Sequence, residues 1–597
     1  MSRSKEIAAL AAATLVVVAC GGNGKPGPVL SSVTPNTGTI GTIVTIDGTN
    51  FVQSGSGTNP TVTFTPASGG APIAATVQSF SATSLDVIVP QLAANLAAAG
   101  TVFNINVANP GGGSMALSNA FTTAGPVLTD VNGGLSGSGT VNSVFIVDGK
   151  NFGDLSGTPA SIYSVDFRDA STGSVVASAA INFANSDWQD IFIVGVVPST
   201  LVVSTTYKVT VTTPSGTSAP LNFMVVGSVG FSPATILWTV TSGLPAAQQG
   251  FSTVIAPVGS SSFIYALGGN VAASTTTNGK ASNVDTVSFN TMDGSTGALA
   301  NASWTATTSL PDKRGFAAAV TANAFNSLVG GNGDLYVLGG VDGSGGATST
   351  VYYAALAADG TIPAAAASGT WTTTTPLPQP MFAEGAVIFH GRIYVAGGND
   401  ATGTPIAKVY SAKINADATL GAWTTLPDLP VALAYHQLVT SGGYLYVLGG
   451  TSASVDPISK TQSASSQAAV YYEPINIRNG GLLNAAWTTN ATAMGKTREK
   501  FSAVVAGGYV LVSGGLYSGA STGSSEQSYA AINSDGSMGT FNGATGSHTI
   551  TGSVSGYDFF NHAAAVFVDT GGNPHVLILG GEDVNTGAAQ SGVWFQH

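Results

Sequence analysis

Residues 335–340 read Leu-Tyr-Val-Leu-Gly-Gly, and this apolar strand ending on two glycines is written six times in the last 340 or so residues of the chain. The other copies end at Gly268-Gly269, Gly397-Gly398, Gly449-Gly450, Gly514-Gly515 and Gly580-Gly581. An element that returns at intervals of roughly 50–70 residues indicates a repeat architecture. A strand that stops on two glycines predicts backbone with positive φ or close approach. The repeats therefore predict the fold of the C-terminal part but identify no ligand.

Each Gly-Gly strand belongs to a unit of four predicted strands. A strand of small residues precedes it, as in Phe316–Val320, and a third strand follows it, as in Val351–Leu356. In most repeats a turn containing Asp-Gly or Gly-Gly then leads to a fourth strand that begins with an aromatic residue. These aromatic residues are Trp304, Trp371, Trp423, Trp487 and Phe541. The pattern resembles the kelch motif, and the resemblance implies a six-bladed β-propeller over residues 228–597.

The ends of this repeat region predict how the ring closes. No fourth strand follows Val593-Trp594-Phe595 in the last repeat, whereas an unpaired strand, Ile236–Val240, precedes the first repeat. We expect this strand to lie beside residues 592–597 and to remove the open sheet edges. An outer-membrane barrel is the alternative, because Trp594 and Phe595 lie near the last residue, but it does not explain the Gly-Gly period.

Two copies of another pattern precede the repeats. The step Gly48-Thr49-Asn50-Phe51 returns as Gly149-Lys150-Asn151-Phe152, and alternating strands surround both. This spacing predicts two β-sandwiches of about 100 residues each, over residues 28–124 and 125–227. Both copies resemble the IPT/TIG immunoglobulin-like family, although the second has Asn132-Gly133-Gly134 where the family has a proline. The resemblance implies a spacer or a binding platform, and we expect a stalk.

Composition predicts an all-β protein of the cell exterior. Only 8% of the residues are charged, and the net charge is −12. Low charge combined with many β-branched residues favours strands over disorder. The pI of about 4.7 disfavours nucleic acid and anionic lipid headgroups as partners, because both are bound by basic patches.

The single cysteine, Cys20, follows a short positive start and the apolar run Ile7–Ala19, which is too short to span a bilayer. The sequence Val17-Val18-Ala19-Cys20-Gly21 resembles the bacterial lipobox. The resemblance implies a signal peptide over residues 1–19, a lipid on Cys20, and an outer-membrane or cell-surface location. The Gly- and Pro-rich residues after Cys20 predict a short tether over residues 20–27. The alternative is an ordinary signal peptide that contains a cysteine.

Two sets of loops in the repeats hold much of the charge of this charge-poor chain. One set enters the small-residue strands and the other follows the Gly-Gly pairs, so kelch-like blades would place both on one face. We predict a ligand-binding face for a glycan or a protein, formed by Arg314, Glu384, His436, Arg498, His562, Asn270, Asp342, Asn399, Asp400, Glu582 and Asp583. Polar groups would orient a hydroxyl-rich ligand, and nearby rings such as Phe316 and Tyr435 would stack on it. The alternative is that charges simply collect in loops and that the arginines cap strands.

Glu384, His436 and His562 stand out within that set. We align them with Phe251, Phe316 and Phe501 at one position of the repeat. Three polar residues in a column of phenylalanines predict ligands for a metal or a sugar at the mouth of the ring. The alternative is hydrogen bonding inside each repeat.

Known propeller enzymes offer three comparisons. A galactose-oxidase-like copper site needs a Tyr–Cys crosslink, and the only cysteine lies at residue 20. Sialidases carry an arginine triad, and Arg314, Arg392 and Arg498 are present, but Asp535-Gly536 does not reproduce the sialidase Asp-box. Sialate mutarotases use acid–base chemistry, for which Glu384 with Arg314 or Arg498 would serve. We predict a binding protein without cofactor or metal, with an exported carbohydrate-active enzyme, mutarotase or sialidase-like, as the alternative.

Overall fold

The structure, a computed structural model, describes residues 27–596. The following ranges lie outside the described part: 53–57, 132–135, 140, 142–143, 154–161, 182–187, 189, 191, 203–204, 226–232, 234–237, 272–281, 323–331, 365–369, 416, 460, 477–479, 518–526, 534, 543–558, 570–572 and 584–587. The predicted signal peptide and Cys20 therefore also lie outside it. The fold is all-β, as predicted, and the chain divides into two compact units, Met1–Val225 and Val226–His597.

The first module of the N-terminal unit is one eight-stranded sheet that curls around an aromatic core. In spatial order its strands are Val29–Thr34, Ile43–Thr49, Ser84–Ile88, Ile73–Phe80, Thr61–Pro66, Val102–Ala108, Ser114–Thr123 and Thr37–Gly38. One short helix, Ala94–Ala97, interrupts them. The ring of Phe64 meets those of Phe103 and Phe121 edge-on at 6.2 and 5.5 Å. A Cβ at Gly48 would lie 2.1 Å from the Val29 carbonyl oxygen, so only glycine fits the predicted Gly-x-Asn-Phe step.

The second module packs two sheets around Trp188, Phe145, Phe167 and Phe223. One sheet contains Ser136–Gly139, Leu221–Val225, Thr205–Thr213, Ser164–Asp169 and Val175–Ser178, with Gly216–Thr217 paired to Thr205–Thr213. The other contains Phe192–Val196, Val144–Lys150 and Val127–Val131.

The two modules touch directly through buried polar groups. Asp190 accepts hydrogen bonds from the Thr42 hydroxyl at 2.9 Å and from the Gly153 amide at 2.8 Å. The hydroxyls of Thr39 and Ser215 are 2.6 Å apart. Burial raises the pKa of Asp190, and the hydrogen bonds from Gly153 and Thr42 offset part of that shift. The N-terminal unit is thus one compact body in which the two modules share an interface.

Within its described residues, the C-terminal unit contains six main sheets, one per Gly-Gly repeat, and two small ones. The first three are Ser252–Val258, Ser261–Leu267, Val287–Thr291, Thr305–Ala306; Ala318–Ala322, Asp334–Leu338, Val351–Ala355, Thr372–Thr374; and Gly385–Phe389, Arg392–Ala396, Val409–Lys413, Thr424–Leu426. The fourth is Gln437–Ser441, Tyr444–Leu448, Val470–Asn476, Gly481–Leu482, Thr488–Thr489, and the fifth is Ser502–Ala506, Tyr509–Ser513, Gln527–Ala531. The sixth is Ala563–Val568, Pro574–Leu579, Val593–Gln596, Trp238–Val240. Two small sheets pair Arg498–Glu499 with Leu516–Tyr517, and Phe559–Phe560 with Glu582–Asp583 and Ala588–Ala589.

Hydrogen bonds link each sheet to the next and return from the last to the first. The second glycine of each pair donates its N–H to a carbonyl at the start of the following repeat, as Gly340 does to Met381 at 2.9 Å. Gly581 donates to Gln248 of the first repeat at 2.9 Å. The first strands of successive sheets are neighbours, and that of the sixth sheet lies beside that of the first. Trp238–Val240 pairs with Val593–Gln596, which is where the sequence placed it.

The tryptophans of the fourth strands join the sheets at their outer edges. Their indole N–H groups donate to carbonyls of the preceding repeat: Trp304 to Ser242, Trp371 to Thr308, Trp423 to Thr375 and Trp487 to Pro427, at 3.0–3.2 Å. These aromatic residues therefore hold the sheets together.

The Gly-Gly pairs predict a large difference between two glycine substitutions. Gly340 has φ +88°, and an added Cβ would lie 2.7 Å from the Ala317 Cβ; Gly508 has φ +83°, but nothing lies within 4 Å of its added Cβ. Gly508→Ala should cost roughly 1–2 kcal/mol from its left-handed backbone. Gly340→Ala should cost a further 1–3 kcal/mol or so, because the methyl group overpacks the site. Urea unfolding of both variants checks this, and equal losses would contradict the close approach.

Candidate functional site

Six residues, one at the start of each repeat, form a closed ring of peptide hydrogen bonds. We call them the axial ring: Gly250, Phe316, Ala383, Tyr435, Lys500 and Asn561. Each N–H donates to the carbonyl of the preceding member at 2.6–3.1 Å, and Gly250 donates to Asn561 to complete the circle. All six have φ between 52° and 58°, although five are not glycine. A left-handed backbone is costly for residues that carry a side chain, and residues in this conformation are concentrated at functional sites.

Lys500 is the only charged member of the axial ring, and it is 3% exposed. Its ammonium group donates to the carbonyls of Asp456 at 2.8 Å and Ser459 at 2.7 Å. It also lies 5.2 Å from the ring centre of Tyr435 and 5.8 Å from that of Phe560. Burial lowers the pKa of Lys500 to about 8, while the carboxylates of Glu499, Asp456 and Glu582 oppose that shift.

A chain of buried amides continues from Lys500 around the ring. The Asn561 side-chain amide donates to the Gln249 side-chain oxygen and to the Pro457 carbonyl, both at 2.8 Å. Gln249 in turn donates to the carboxylate of Glu582, which is fully buried. On the next repeat the Asn270 amide donates to Asn283 at 2.7 Å.

A loop of the fourth repeat covers these groups. We call residues 452–465 the cap loop, of which residue 460 lies outside the described part. Its tip carries Ile458, which is 4% exposed and packs with Phe316, Phe382 and Tyr435. Its base is held by Glu499, whose carboxylate accepts hydrogen bonds from the Ser463 amide at 3.1 Å and from the Ser466 hydroxyl.

The cap loop is an insertion relative to the second and third repeats. Its flanking pair, Thr451 and Ser466, corresponds to Val341 and Ala347 in the second repeat and to Asn399 and Pro405 in the third. The loop of the fourth repeat is therefore nine residues longer than either. The sequence contains this signal, because Val470 lies 20 positions after Gly450 whereas Val351 lies only 11 positions after Gly340, but the predicted site did not include the loop.

Two buried polar side chains near the axial ring, Asn399 and Tyr435, have only each other as a hydrogen-bonding neighbour. Burial raises the pKa of Tyr435 well above its usual range, and the hydrogen bond with the Asn399 side chain offsets this slightly. The hydrogen-bonding capacity of the two groups is therefore only partly used, which points to a ligand or solvent contact.

The predicted column of Glu384, His436 and His562 needs a correction of one residue. Its other members are Phe251, Ala317 and Phe501, because these six side chains lie against the second glycine of their own repeat. Phe316, which the predicted alignment places in this column, belongs instead to the axial ring. The sequence could not show this one-residue offset, because a phenylalanine gives no sign that its backbone is left-handed.

These three polar side chains are buried beside the Gly-Gly turns. A Cβ at Gly339 would lie 2.6 Å from a Glu384 carboxyl oxygen, and one at Gly397 would lie 2.5 Å from the His436 ring. Burial raises the pKa of Glu384 to about 8, and nearby amides of Glu384 and Ala318 offset part of the shift. Burial lowers the pKa of His436 to about 4 and that of His562 to about 3. These shifts favour the uncharged form of all three side chains near neutral pH.

The two predicted arginines are also buried. Arg314 donates to Asp312 at 2.8 Å and lies 5.1 Å from the ring centre of Tyr352. Arg498 donates to the Gly514 carbonyl at 2.7 Å and lies 5.5 Å from the ring of Tyr517. Arg314 therefore fixes the loop that contains Asp312, and Arg498 fixes the Gly-Gly turn at Gly514.

Among the remaining predicted residues, Asn270, Asn399, Glu582 and Asp583 are buried next to the axial ring or its paired strands. Asp342 and Asp400 shape turns at the surface. Asp400 accepts from the Thr402 hydroxyl at 2.6 Å and the Thr404 amide at 3.0 Å, and the Thr402 hydrogen bond is the main reason that its pKa lies below the usual value.

Within the described part of the chain, no group of three or more His, Cys, Asp or Glu side chains is arranged to hold a metal ion. The same part has no helix long and apolar enough to cross a membrane.

Comparison with known proteins identifies the first module. Residues 28–123 match the family model of the IPT/TIG domain, which confirms that part of the prediction. The second copy lies outside this match. Among solved structures, one titled "Structure of YjhT" is 13% identical, with a TM-score of 0.40, covering 59% of this chain and 95% of that one. No curated protein matches the chain.

Proposed function

We propose that this protein is an exported binding protein, anchored through a lipid on Cys20 to the outer membrane or cell surface. Two IPT/TIG modules act as a stalk. They carry a six-bladed kelch-type β-propeller that recognises a protein or carbohydrate. The ligand binds where the loops that follow the Gly-Gly pairs and the loops that enter the small-residue strands meet, which we call the Gly-Gly face. The observation that carries this proposal is the axial ring, where strained backbone, buried polar groups with incomplete hydrogen bonding and a long loop coincide at one end of the six sheets. Insertions in repeat proteins commonly mark the binding face.

The state of the ionisable residues favours binding over catalysis. A general acid or base must reach the substrate and have a pKa near the working pH. Glu384 has a suitable pKa, but it is buried between sheets, and Arg314 and Arg498 are tied to neighbouring loops. A mutarotase or sialidase-like activity would need these groups to be uncovered.

A glycan array with the full mature chain tests the carbohydrate part of the proposal. The face variant carries Ser344→Glu, Thr402→Glu and Ser454→Glu, which place charge on exposed turns around the axial ring. The matched control carries Thr372→Glu, Thr424→Glu and Thr488→Glu on the exposed outer strands. We expect wild type and control to bind and the face variant to lose at least about ten-fold in affinity, a loss of roughly 1.4 kcal/mol. Equal binding by all three would reject this face, and an array without ligands would reject carbohydrate in favour of protein.

A further inference from the structure

The tip of the cap loop is held in the way that a protein holds a bound peptide. Lys500 donates to the carbonyls of Asp456 and Ser459, and Asn561 donates to the carbonyl of Pro457. All three contacts are made to backbone carbonyls, so they do not depend on which side chains the tip carries. The Ile458 side chain is buried in the apolar cluster that contains Phe316, Phe382 and Tyr435, and the half-buried Val455 packs against this cluster.

The tip itself is a tight turn. The Ser459 amide donates to the Asp456 carbonyl at 3.0 Å, and the Ile458 amide donates to the Asp456 side chain at 3.1 Å. The turn thus presents three carbonyls to the axial ring on a preformed backbone, which lowers the entropy lost when such a segment binds.

We propose that the axial ring is a binding site for a polypeptide turn and that the cap loop is its built-in occupant, which a partner's turn displaces. This inference rests on the proposed binding function and assigns its partner class. The partner is a protein turn with free carbonyls and a branched aliphatic side chain, the chemistry that residues 456–459 display.

Three features make the occupant exchangeable. The peptide hydrogen bonds of the axial ring close without any cap-loop residue. The base of the loop is held separately from its tip, through Glu499. The second and third repeats make the same connection with nine fewer residues, so the excursion is not needed to join the strands.

The fit of this occupant is also incomplete. The amide of Asn399 and the hydroxyl of Tyr435 are buried beside the ring with only each other as neighbours, and none of the described cap-loop residues pairs with them. A partner turn with a polar side chain beside its aliphatic residue would pair with these groups. It would therefore compete with the intramolecular turn despite the advantage that tethering gives the cap loop.

The test removes the occupant and supplies it in trans. In the shortened variant, residues 452–465 are replaced by Asp-Ala-Thr-Gly-Thr, the sequence of residues 400–404 in the third repeat. The probe is a fluorescein-labelled peptide with the sequence of residues 452–466, followed by fluorescence anisotropy. We expect the shortened variant to bind it at least about ten-fold more tightly than the intact chain, in which the tethered loop competes. Adding Lys500→Met should weaken binding by about ten-fold or more, because hydrogen bonds from a charged donor are lost.

A second peptide with serine at position 458 should also bind more weakly. A folded shortened variant that does not bind the probe, or that binds equally well with Lys500→Met, overturns the proposal. If the shortened variant does not fold, hydrogen exchange on the intact chain decides. Excess peptide should then accelerate exchange in residues 453–459, and unchanged exchange overturns the proposal.

The outcome separates this inference from the function it rests on. Displacement of the cap loop by a glycan from the array, and not by the peptide, would assign the ring to carbohydrate and reject the turn site alone. Loss of all ligand binding at the Gly-Gly face would reject the proposed function as well.

Discussion

A chain that ends at Gly592 is expected to lose the cooperative fold of its C-terminal unit. Residues 593–596 form the strand that joins the two ends of this unit: one edge pairs with Pro574–Leu579 and the other with Trp238–Val240. Without it both neighbours become open edges, and open apolar edges associate with other chains. We expect a loss larger than any single substitution, seen as aggregation in size-exclusion chromatography and a missing or broad thermal transition by circular dichroism.

Trp594 accounts for a large part of this effect. It is 3% exposed, and its ring lies 4.8 Å from that of Phe559. Trp594→Ala alone should cost about 3–5 kcal/mol. The control removes only His597, which should leave the transition unchanged. A truncated chain that melts like the wild type would show that the ring does not depend on this pairing.

The sequence was sufficient to predict this closing strand because its signals are local. A Gly-Gly pair needs left-handed backbone at both residues, and all twelve glycines have positive φ. Few other residues accept that conformation, so the pairs mark the repeat boundaries in the sequence. Counting strands between them left Ile236–Val240 and Val593–Phe595 as the two without partners.

The axial ring was not predictable in this way. Its members are Gly, Phe, Ala, Tyr, Lys and Asn, which share no chemical property, and the hydrogen bonds that impose their left-handed backbone come from residues 52 to 311 positions away. The burial of Lys500, which was not among the predicted site residues, is equally non-local. Polar residues in loops predict exposure, but Lys500 is covered by a loop inserted in the preceding repeat.

In the N-terminal unit, too, the sequence predicted the modules but not the contacts between them. The Gly-x-Asn-Phe step predicted each module, because a Cβ at Gly48 or Gly149 would lie within 2.1 Å of a carbonyl oxygen. The interface between the modules depends on Thr42, Gly153 and Asp190, which are far apart in the sequence and ordinary in type. No pattern in the sequence pointed to it.

The last prediction concerns how stability depends on pH. The pKa of Glu384 is raised from 4.5 in the unfolded chain to about 8 in the folded one, chiefly by burial. Between these values the folded protein keeps a proton that the unfolded chain releases, so the free energy of unfolding falls as pH rises. Over the full interval the loss is about 5 kcal/mol, at about 1.4 kcal/mol per pH unit. Glu384→Gln keeps the shape without the titration, and its stability relative to wild type should rise with that slope.

The histidines act in the opposite direction. Burial lowers the pKa of His436 to about 4 and of His562 to about 3, and the Arg498 cation adds to the shift of His562. Below pH 6.5 the unfolded chain takes up protons that the folded protein refuses, so stability falls as pH falls. His436→Phe places a phenylalanine where Phe251 and Phe501 stand in other repeats, and it should reduce this acid-side loss. Urea unfolding of wild type and both variants at pH 5, 6.5 and 8 measures the slopes. If the difference in unfolding free energy between Glu384→Gln and wild type stays constant with pH, the Glu384 carboxyl has an ordinary pKa in the folded protein. That result would contradict the burial-raised pKa.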